Sequence, residues 1–354
     1  MSRDTLIKVF EKSNIDNIVI MNSSSADPNF TYVTGFESGL FEDSVLAIGK
    51  TGKLTLLTSE LEYETARSQA PSSMSIIKIN RNNMDAEMKK IIAGKRIGID
   101  ADFLPVSLYK KISRYKPGAI EDISGSFIEM RSVKTEEEIK RIKKASQIVK
   151  EAMRAIEDEF KEGITELQLA AKFNYLMQEA GAQGPSFETI VAFGKNAALP
   201  HHFPDSTKLR RGSLVLIDAG AKFRNYCSDV TRTFVFGKSY ADKRALRILE
   251  VVKEAQRLAI GAIKPGVAAS KIHMVAEDFI NSADRGAYRG RFIHSLGHSV
   301  GIEVHDGISI GKTSKTVIKE GMVFTAEPGI YIPGFAGARI EDDILVTRNG
   351  AKVL

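Results

Sequence analysis

A carboxylate is the residue least at home in an apolar strand, and this chain places four of them in such runs. Ser213–Gly220 reads SLVLIDAG, so Asp218 closes a fully apolar strand. Asn225–Val235 reads NYCSDVTRTFV and sets Asp229 among β-branched and aromatic residues, where Asp is disfavoured. A polar connection joins the two runs, which predicts a hairpin-like pair. Gly321–Ile332, GMVFTAEPGIYI, carries Glu327 inside a long apolar stretch, and Pro328 forces Glu327 into an extended conformation. Gly337–Thr347, GARIEDDILVT, adds Glu341, and strand alternation puts Arg339, Glu341 and Asp343 on one face. Taken singly, each has an ordinary explanation. Asp218 could be a turn residue, Glu327 a solvent-facing strand edge, and Arg339–Glu341 a surface pair. Taken together they conflict with the cost of burial, because a buried carboxylate without a partner protonates instead.

The histidines point to the same part of the chain. All six lie between residues 201 and 305, and three fall in His294–Gly307, HSLGHSVGIEVHDG. The His-x3-His spacing of His294 and His298 is that of a helical zinc site. No Glu follows His294, however, and Gly297 and Gly301 argue against a stable helix, so an irregular or extended segment is predicted. If Asp218, Asp229, His298, Glu327 and Glu341 converge, they bring a charge of −4 that is unstable without cations, since like charges raise one another's pKa. Two divalent ions would neutralise it and supply a hydroxide able to attack a carbonyl or phosphoryl group. Four carboxylates and one imidazole are a mostly hard set. That favours Mn²⁺, and the imidazole admits Co²⁺, Fe²⁺ or Zn²⁺.

The chain's 354 residues suggest two domains. Residues 1–125 read as a small α/β domain. Its strands are expected at Ile18–Met21, Ser44–Ile48, Leu54–Leu57, Ser75–Ile79 and Arg96–Asp100, with a hairpin turn at Thr51–Gly52. Its helices are expected at Leu61–Arg67 and Met84–Ile92. It holds no histidine, and no chemistry is assigned to it. A boundary between 120 and 132 leads into a second domain, 130–354. This opens at Thr135–Glu138, a capping-box signature, followed by apolar residues at helical spacing. Lys140, Arg141, Lys143 and Lys144 fill the other face and read as a solvated helix surface. Further helices are expected at Thr165–Glu179, 240–262 and 268–283.

Several classes drop out. No apolar stretch approaches the ~18 residues of a membrane helix. The opening MSRDTLIKVFEKSN has no signal-peptide core, and the lone Cys227 excludes an internal disulfide or a cysteine zinc cluster. A cytoplasmic protein is the expectation. Fifty Lys and Arg against 44 Asp and Glu give a net charge of +6, with no basic run to suggest nucleic acid.

The segments LIDAG…CSDVTRTF, HSLGHSVGIEVHD, FTAEPGIYIPG and GARIEDDILVT resemble the metallopeptidases with the pita-bread fold. Within them, the resemblance is to the Xaa-Pro dipeptidase (prolidase) and Xaa-Pro aminopeptidase branch. It covers residues 130–354 strongly and 1–125 more weakly, as that branch's extra N-terminal domain. It implies an α/β (α+β) chain whose C-terminal domain is a curved antiparallel sheet flanked by helices. It also implies two divalent metal ions per subunit, Mn²⁺ or Co²⁺ before Zn²⁺ or Fe²⁺. Asp218 would chelate one ion, Asp229 and Glu341 would bridge both, and His298 and Glu327 would bind the second. Glu327 would also shuttle the proton. His201, in Asn196–His201 (NAALPH), would sit near the substrate, and His305 would steady the carbonyl and its tetrahedral intermediate. His294 would line the pocket, and Arg339 would support the site or meet a substrate carboxylate. His202 has a less certain role, and His273, on an amphipathic helix, reads as structural. The resemblance further implies a homodimer.

Three functions are weighed on this basis. The first is hydrolysis of Xaa-Pro dipeptides, favoured by the compact length. The second is an Xaa-Pro aminopeptidase acting on longer peptides. The third is a non-catalytic binder of peptides or proteins. The binder and a metal-independent creatine-cleaving relative are both disfavoured, because all five ligand positions are filled.

Overall fold

A computed structural model describes residues 3–354. The chain forms two compact units, Met1–Arg131 and Ser132–Leu354.

In the first unit, α1 (Arg3–Lys12) leads into β1 (Asn17–Met21), α2 (Pro28–Thr34) and the hairpin β2 (Val45–Gly49)–β3 (Leu54–Thr58). There follow α3 (Glu60–Gln69), β4 (Ser75–Lys78), α4 (Met84–Ile92), β5 (Arg96–Ile99), α5 (Val106–Arg114), β6 (Ala119–Asp122) and α6 (Ser124–Ser132). The six strands make one mixed sheet in the order β4-β3-β2-β1-β5-β6. All five strands and both helices expected from sequence are present, and Gly52, at φ 75°, donates to Gly49 to close the expected turn. Four further helices, α1, α2, α5 and α6, and the strand β6 are present beyond those expected. α2 (PNFTYVT) is rich in β-branched and aromatic residues, and its N-cap defines it. Pro28 opens the helix and the Asp27 carboxylate accepts the Asn29 N–H at 2.7 Å. α6 runs through residue 125, so the first unit continues to Arg131.

The second unit begins with α7 (Glu136–Ala155), and its capping box is complete: Glu138 accepts the Thr135 N–H at 2.9 Å and Thr135 accepts the Glu138 N–H at 3.4 Å. Lys140 and Lys143 on its outer face are exposed. α8 (Glu166–Glu179) has a second capping box, Thr165 with Gln168. The chain continues through β7 (Gly184–Pro185), β8 (Ile190–Phe193), β9 (Leu214–Ala219), β10 (Ala221–Phe223), β11 (Tyr226–Cys227) and β12 (Val230–Val235). Then come α9 (Lys243–Ala262), α10 (Ala269–Gly286), β13 (Gly297–His298), β14 (Ser309–Ile310), β15 (Val323–Ala326), β16 (Gly329–Ile332), β17 (Ala336–Arg339), β18 (Asp342–Thr347) and β19 (Gly350–Val353). Helical dihedrals in α10 stop at Ala283, the end the sequence pattern gives.

Every strand pairing named in this unit is antiparallel. α7 and α8 pack Ile148, Val149 and Phe173 on Val191, Val215 and Ile217 of the β8–β9–β12 sheet. α9 and α10 pack Val252, Ile272 and Ala276 on Phe324, Ile330 and Ile344. Burying each of the larger side chains contributes roughly 1.5–3 kcal/mol. The strands between these two cores therefore have covered faces, and carboxylates near their ends are held away from water. Among the described residues no helix is long and apolar enough to cross a membrane.

Candidate metal centre

β9 and β12 pair with Asp218 opposite Thr231, the hairpin-like pair expected from sequence. Its polar connection is itself a small hairpin, β10–β11, turning at Arg224 and Asn225 with φ of 46° and 65°. Asp229 lies one residue before β12 rather than inside it. His298 closes β13 in an extended segment with no helix, and Glu327 directly follows β15. Glu341 sits in the break between β17 and β18, where its N–H donates to the Thr231 carbonyl at 3.1 Å. All of these, with His201, His294, His305 and Arg339, line a single cavity of about 550 Å³. Phe187, Ile190, Val304 and Ile308 form apolar parts of its wall.

The distances show real convergence. His298 Nε2 is 3.5 Å from Asp229 Oδ2 and 3.4 Å from Glu327 Oε1. Ligand atoms of Asp229, His298 and Glu341 all lie within 4.8 Å of one another. His294 Nδ1 is 3.8 Å from Glu327, and the rings of His298 and His305 are 3.9 Å apart between centroids. Burial pushes Asp229 well above the ordinary carboxylate range, and Glu341 and Asp218 add to this. Glu341 rises for the same reason, with Glu327 and Asp218 next in effect. Burial carries Glu327 up to about 8 although Arg339 pulls it down. His294 and His298 go the other way, to about 4, because burial penalises the imidazolium.

Three buried carboxylate oxygens, Asp218 Oδ1, Asp229 Oδ1 and Glu341 Oε1, have no hydrogen-bond donor in the protein. Buried acceptors without donors are rare in folded proteins and costly. These three belong to a cluster of hard oxygen donors with one imidazole beside them, so the residues present fit divalent cations.

A surrounding set of residues fixes the cluster. Arg339 is buried and its guanidinium is held by Asp218 Oδ2, by the Tyr331 hydroxyl at 2.8 Å and by Thr231 Oγ1 at 3.1 Å. Asp218, Tyr331 and Glu327 hold it charged against the pull of burial. Thr231 donates to Glu341 Oε2 at 2.5 Å. Asp343 accepts the Asp229 N–H at 3.2 Å and the Ser146 hydroxyl at 2.5 Å. Lys134 and Asp306, each with a side chain 1% exposed, pair at 2.9 Å next to His305. His273 Nδ1 accepts the Leu296 N–H at 3.1 Å and so backs the segment bearing His294 and His298. His202 lies away from the cavity and reaches Glu166. Sequence reasoning passed over Thr231, Tyr331, Ser146 and Glu166. Only Thr231 carried a signal, since alternation places it on the face of Asp229.

Gly297 explains why the His298 strand needs glycine. A Cβ there would lie 2.0 Å from the Thr325 carbonyl oxygen. Gly297→Ala is expected to push β13 off β15 and displace His298, lowering kcat/KM about 100-fold. Steady-state kinetics check this, and unchanged activity would mean that β13 can move without cost.

Residues 140–348 match the family model described as Metallopeptidase family M24, and residues 3–133 match the Creatinase/Prolidase N-terminal domain. The chain belongs to metallopeptidase family M24. This M24 chain is 39% identical to the Xaa-Pro dipeptidase of Pyrococcus horikoshii over 353 residues, covering 99% of this chain and 95% of the relative. Among solved structures, the prolidase from Pyrococcus furiosus superposes with a TM-score of 0.88 at 36% identity, covering 98% of each chain. The X-Pro aminopeptidase from Thermotoga maritima gives 0.88 at 32% identity, with 98% of this chain and 97% of that one covered. The fold is therefore the pita-bread fold of M24, preceded by the N-terminal α/β domain. Membership makes the chain a metallopeptidase, a family that works with divalent metal ions.

Proposed function

We propose that this M24 enzyme hydrolyses the bond between an N-terminal residue and proline in Xaa-Pro dipeptides. The observation that carries the reading is the trio of donorless buried oxygens on Asp218, Asp229 and Glu341, within an M24 chain whose full-length relatives include Xaa-Pro dipeptidases. Asp218, Asp229, His298, Glu327 and Glu341 would hold two divalent ions. Mn²⁺ or Co²⁺ suits the set first, with Zn²⁺ or Fe²⁺ as further candidates. When bound, such a pair supplies a hydroxide at neutral pH and polarises the scissile carbonyl.

The chain's own residues do the rest. Glu327 accepts the proton and passes it to the leaving proline nitrogen. His305 donates to the carbonyl oxygen as negative charge develops there. His294, neutral and tied to the Tyr331 hydroxyl at 2.8 Å, and His201 bound the substrate side of the cavity. Arg339 acts as a support: three of its five N–H donors go to Asp218, Tyr331 and Thr231, and the Pro200 carbonyl lies 3.5 Å from Nη1. The proline nitrogen offers no N–H, so recognition falls on the ring, and Phe187, Ile190, Val304 and Ile308 supply an apolar seat for it.

The N-terminal unit, which holds no histidine, serves as a scaffold. A homodimer in a reducing, cytoplasmic setting completes the proposal. The single buried Cys227, its thiol pushed up to about 12 by burial, supports that setting, and light scattering tests the dimer. For the activity, Ala-Pro, Ala-Pro-Ala and Ala-Ala are compared in Mn²⁺ and in Co²⁺. Ala-Pro is expected to turn over at least about 10-fold faster than either alternative, a margin of about 1.4 kcal/mol. Faster cleavage of Ala-Pro-Ala would replace the dipeptidase by the aminopeptidase, and no turnover of any of them would favour the binder.

A further inference from the structure

His201 sits on the loop that joins β8 to β9, and loops of this kind place a side chain well only when both ends are tied down. Here one buried group does the tying. Glu166, the first residue of α8, is 0% exposed. Its Oε1 accepts the Phe193 N–H at 2.7 Å and the Asn196 side-chain amide at 3.0 Å, both where the loop begins. Its Oε2 accepts His202 Nε2 at 2.7 Å and the Asp205 N–H at 3.1 Å, both beyond His201. The helix returns the contact, because the Glu166 and Leu167 N–H groups donate to the Thr207 and Asp205 carbonyls at 3.1 and 3.2 Å. An anionic side chain in the first turn also meets the positive end of the helix dipole. With four donors around one carboxylate, little lone-pair capacity is left for a cation, although Glu166, His202 and Asp205 lie close enough to have held one.

We infer that Glu166 is a positioning residue for the peptidase reaction. By gathering the chain on both sides of residue 201, it sets the His201 imidazole at the cavity wall, and His202 is its clamp rather than a second catalytic histidine. The inference rests on the reading of His201 as a substrate-side group.

The test is a double-mutant cycle on Ala-Pro at saturating Co²⁺, using Glu166→Gln, His201→Ala and the double variant. Glutamine keeps the size of the side chain but replaces one acceptor oxygen with a donor. Glu166→Gln alone is expected to lower kcat/KM by about 10- to 100-fold, as other residues that orient a catalytic group do. The double variant should be no worse than His201→Ala alone, to within about 2-fold, because the two act through one group. The visible spectrum of bound Co²⁺ should match the parent's in Glu166→Gln, which a general loss of structure would not allow. Multiplying losses or an altered spectrum would overturn the inference. A fully active His201→Ala would instead sink the assigned role of His201, and the inference with it. If Glu166→Gln does not fold, His202→Ala replaces it in the same cycle and must show the same non-additivity.

Discussion

Asp229→Asn is expected to lower kcat/KM on Ala-Pro by more than about 10³-fold while leaving the metal-free protein at least as stable as the parent. Residues that only orient metal ligands cost about 10- to 100-fold when changed, so loss of a ligand carboxylate should cost more. The stability half of the expectation runs against the usual effect of a buried substitution. Asp229 is 6% exposed, its Oδ1 has no donor, and burial, Glu341 and Asp218 all disfavour its charge. Its backbone N–H to Asp343 does not depend on the side chain, so Asn keeps that contact. Asn enters the buried cluster without taking up a proton, whereas Asp must be protonated at a cost or stay charged beside its neighbours, and each kcal/mol saved is worth roughly 2–4 °C in Tm for a unit of this size. Calorimetry with and without Mn²⁺ reads both halves. The parent should gain Tm on adding Mn²⁺ and the variant should not. A variant that kept the Mn²⁺-induced gain and its activity would remove Asp229 from the metal set.

The same conflict between residue and surroundings made the centre legible in the sequence. Asp218, Asp229 and Glu327 stood out because each is the wrong residue for an apolar strand, and that mismatch is local. Glycines at 297 and 301 likewise marked the His294–His305 segment as extended, and the structure gives the reason in close approaches to Thr325 and Asp306. What stayed hidden was set by distant partners. Ser146 meets Asp343 across 197 positions, and Arg339 meets Thr231 across 108, so no window of sequence holds both. Strand boundaries were hidden for a related reason. Asp229 lies just outside β12, and Glu341 in the break before β18, where its N–H is held by the distant Thr231 carbonyl. In the N-terminal unit, α2 is short and formed by its cap and packing rather than by periodicity, which leaves nothing for a 3.6-residue pattern to find.

The second large effect is a stabilisation by metal that grows with pH. In the metal-free protein Glu327 is held at about 8 and Asp343 at about 7, with burial the first cause of each, and Asp229 and Glu341 are raised further. The folded chain therefore keeps protons that the unfolded chain releases near pH ~4, so these groups lower stability as pH rises. His294 and His298 act in the opposite direction. Burial lowers both to about 4, so between there and the unfolded value of ~6.5 the unfolded chain holds the extra protons and stability rises with pH. At about pH 6.5 the unfolded imidazoles are half protonated and above it their share fades, so the raised carboxylates outweigh them. The clean window is thus about pH 6.5 to 8, where the metal-free Tm is expected to fall. Cations bound by Asp229, Glu327 and Glu341 would hold these three ionised and compete with protons for them, so the stabilisation given by Mn²⁺ should grow across that window. One unit of raised pKa corresponds to about 1.4 kcal/mol, and several groups titrate together, so the gap between the two Tm curves should widen by on the order of 5–10 °C. Scans in EDTA and in Mn²⁺ at about pH 6.5, 7.25 and 8 measure it. A gap that stayed constant, or a metal-free Tm that climbed, would mean that Asp229, Glu327 and Glu341 do not share the cation site, because only a shared site makes their protons and the metal exclude each other.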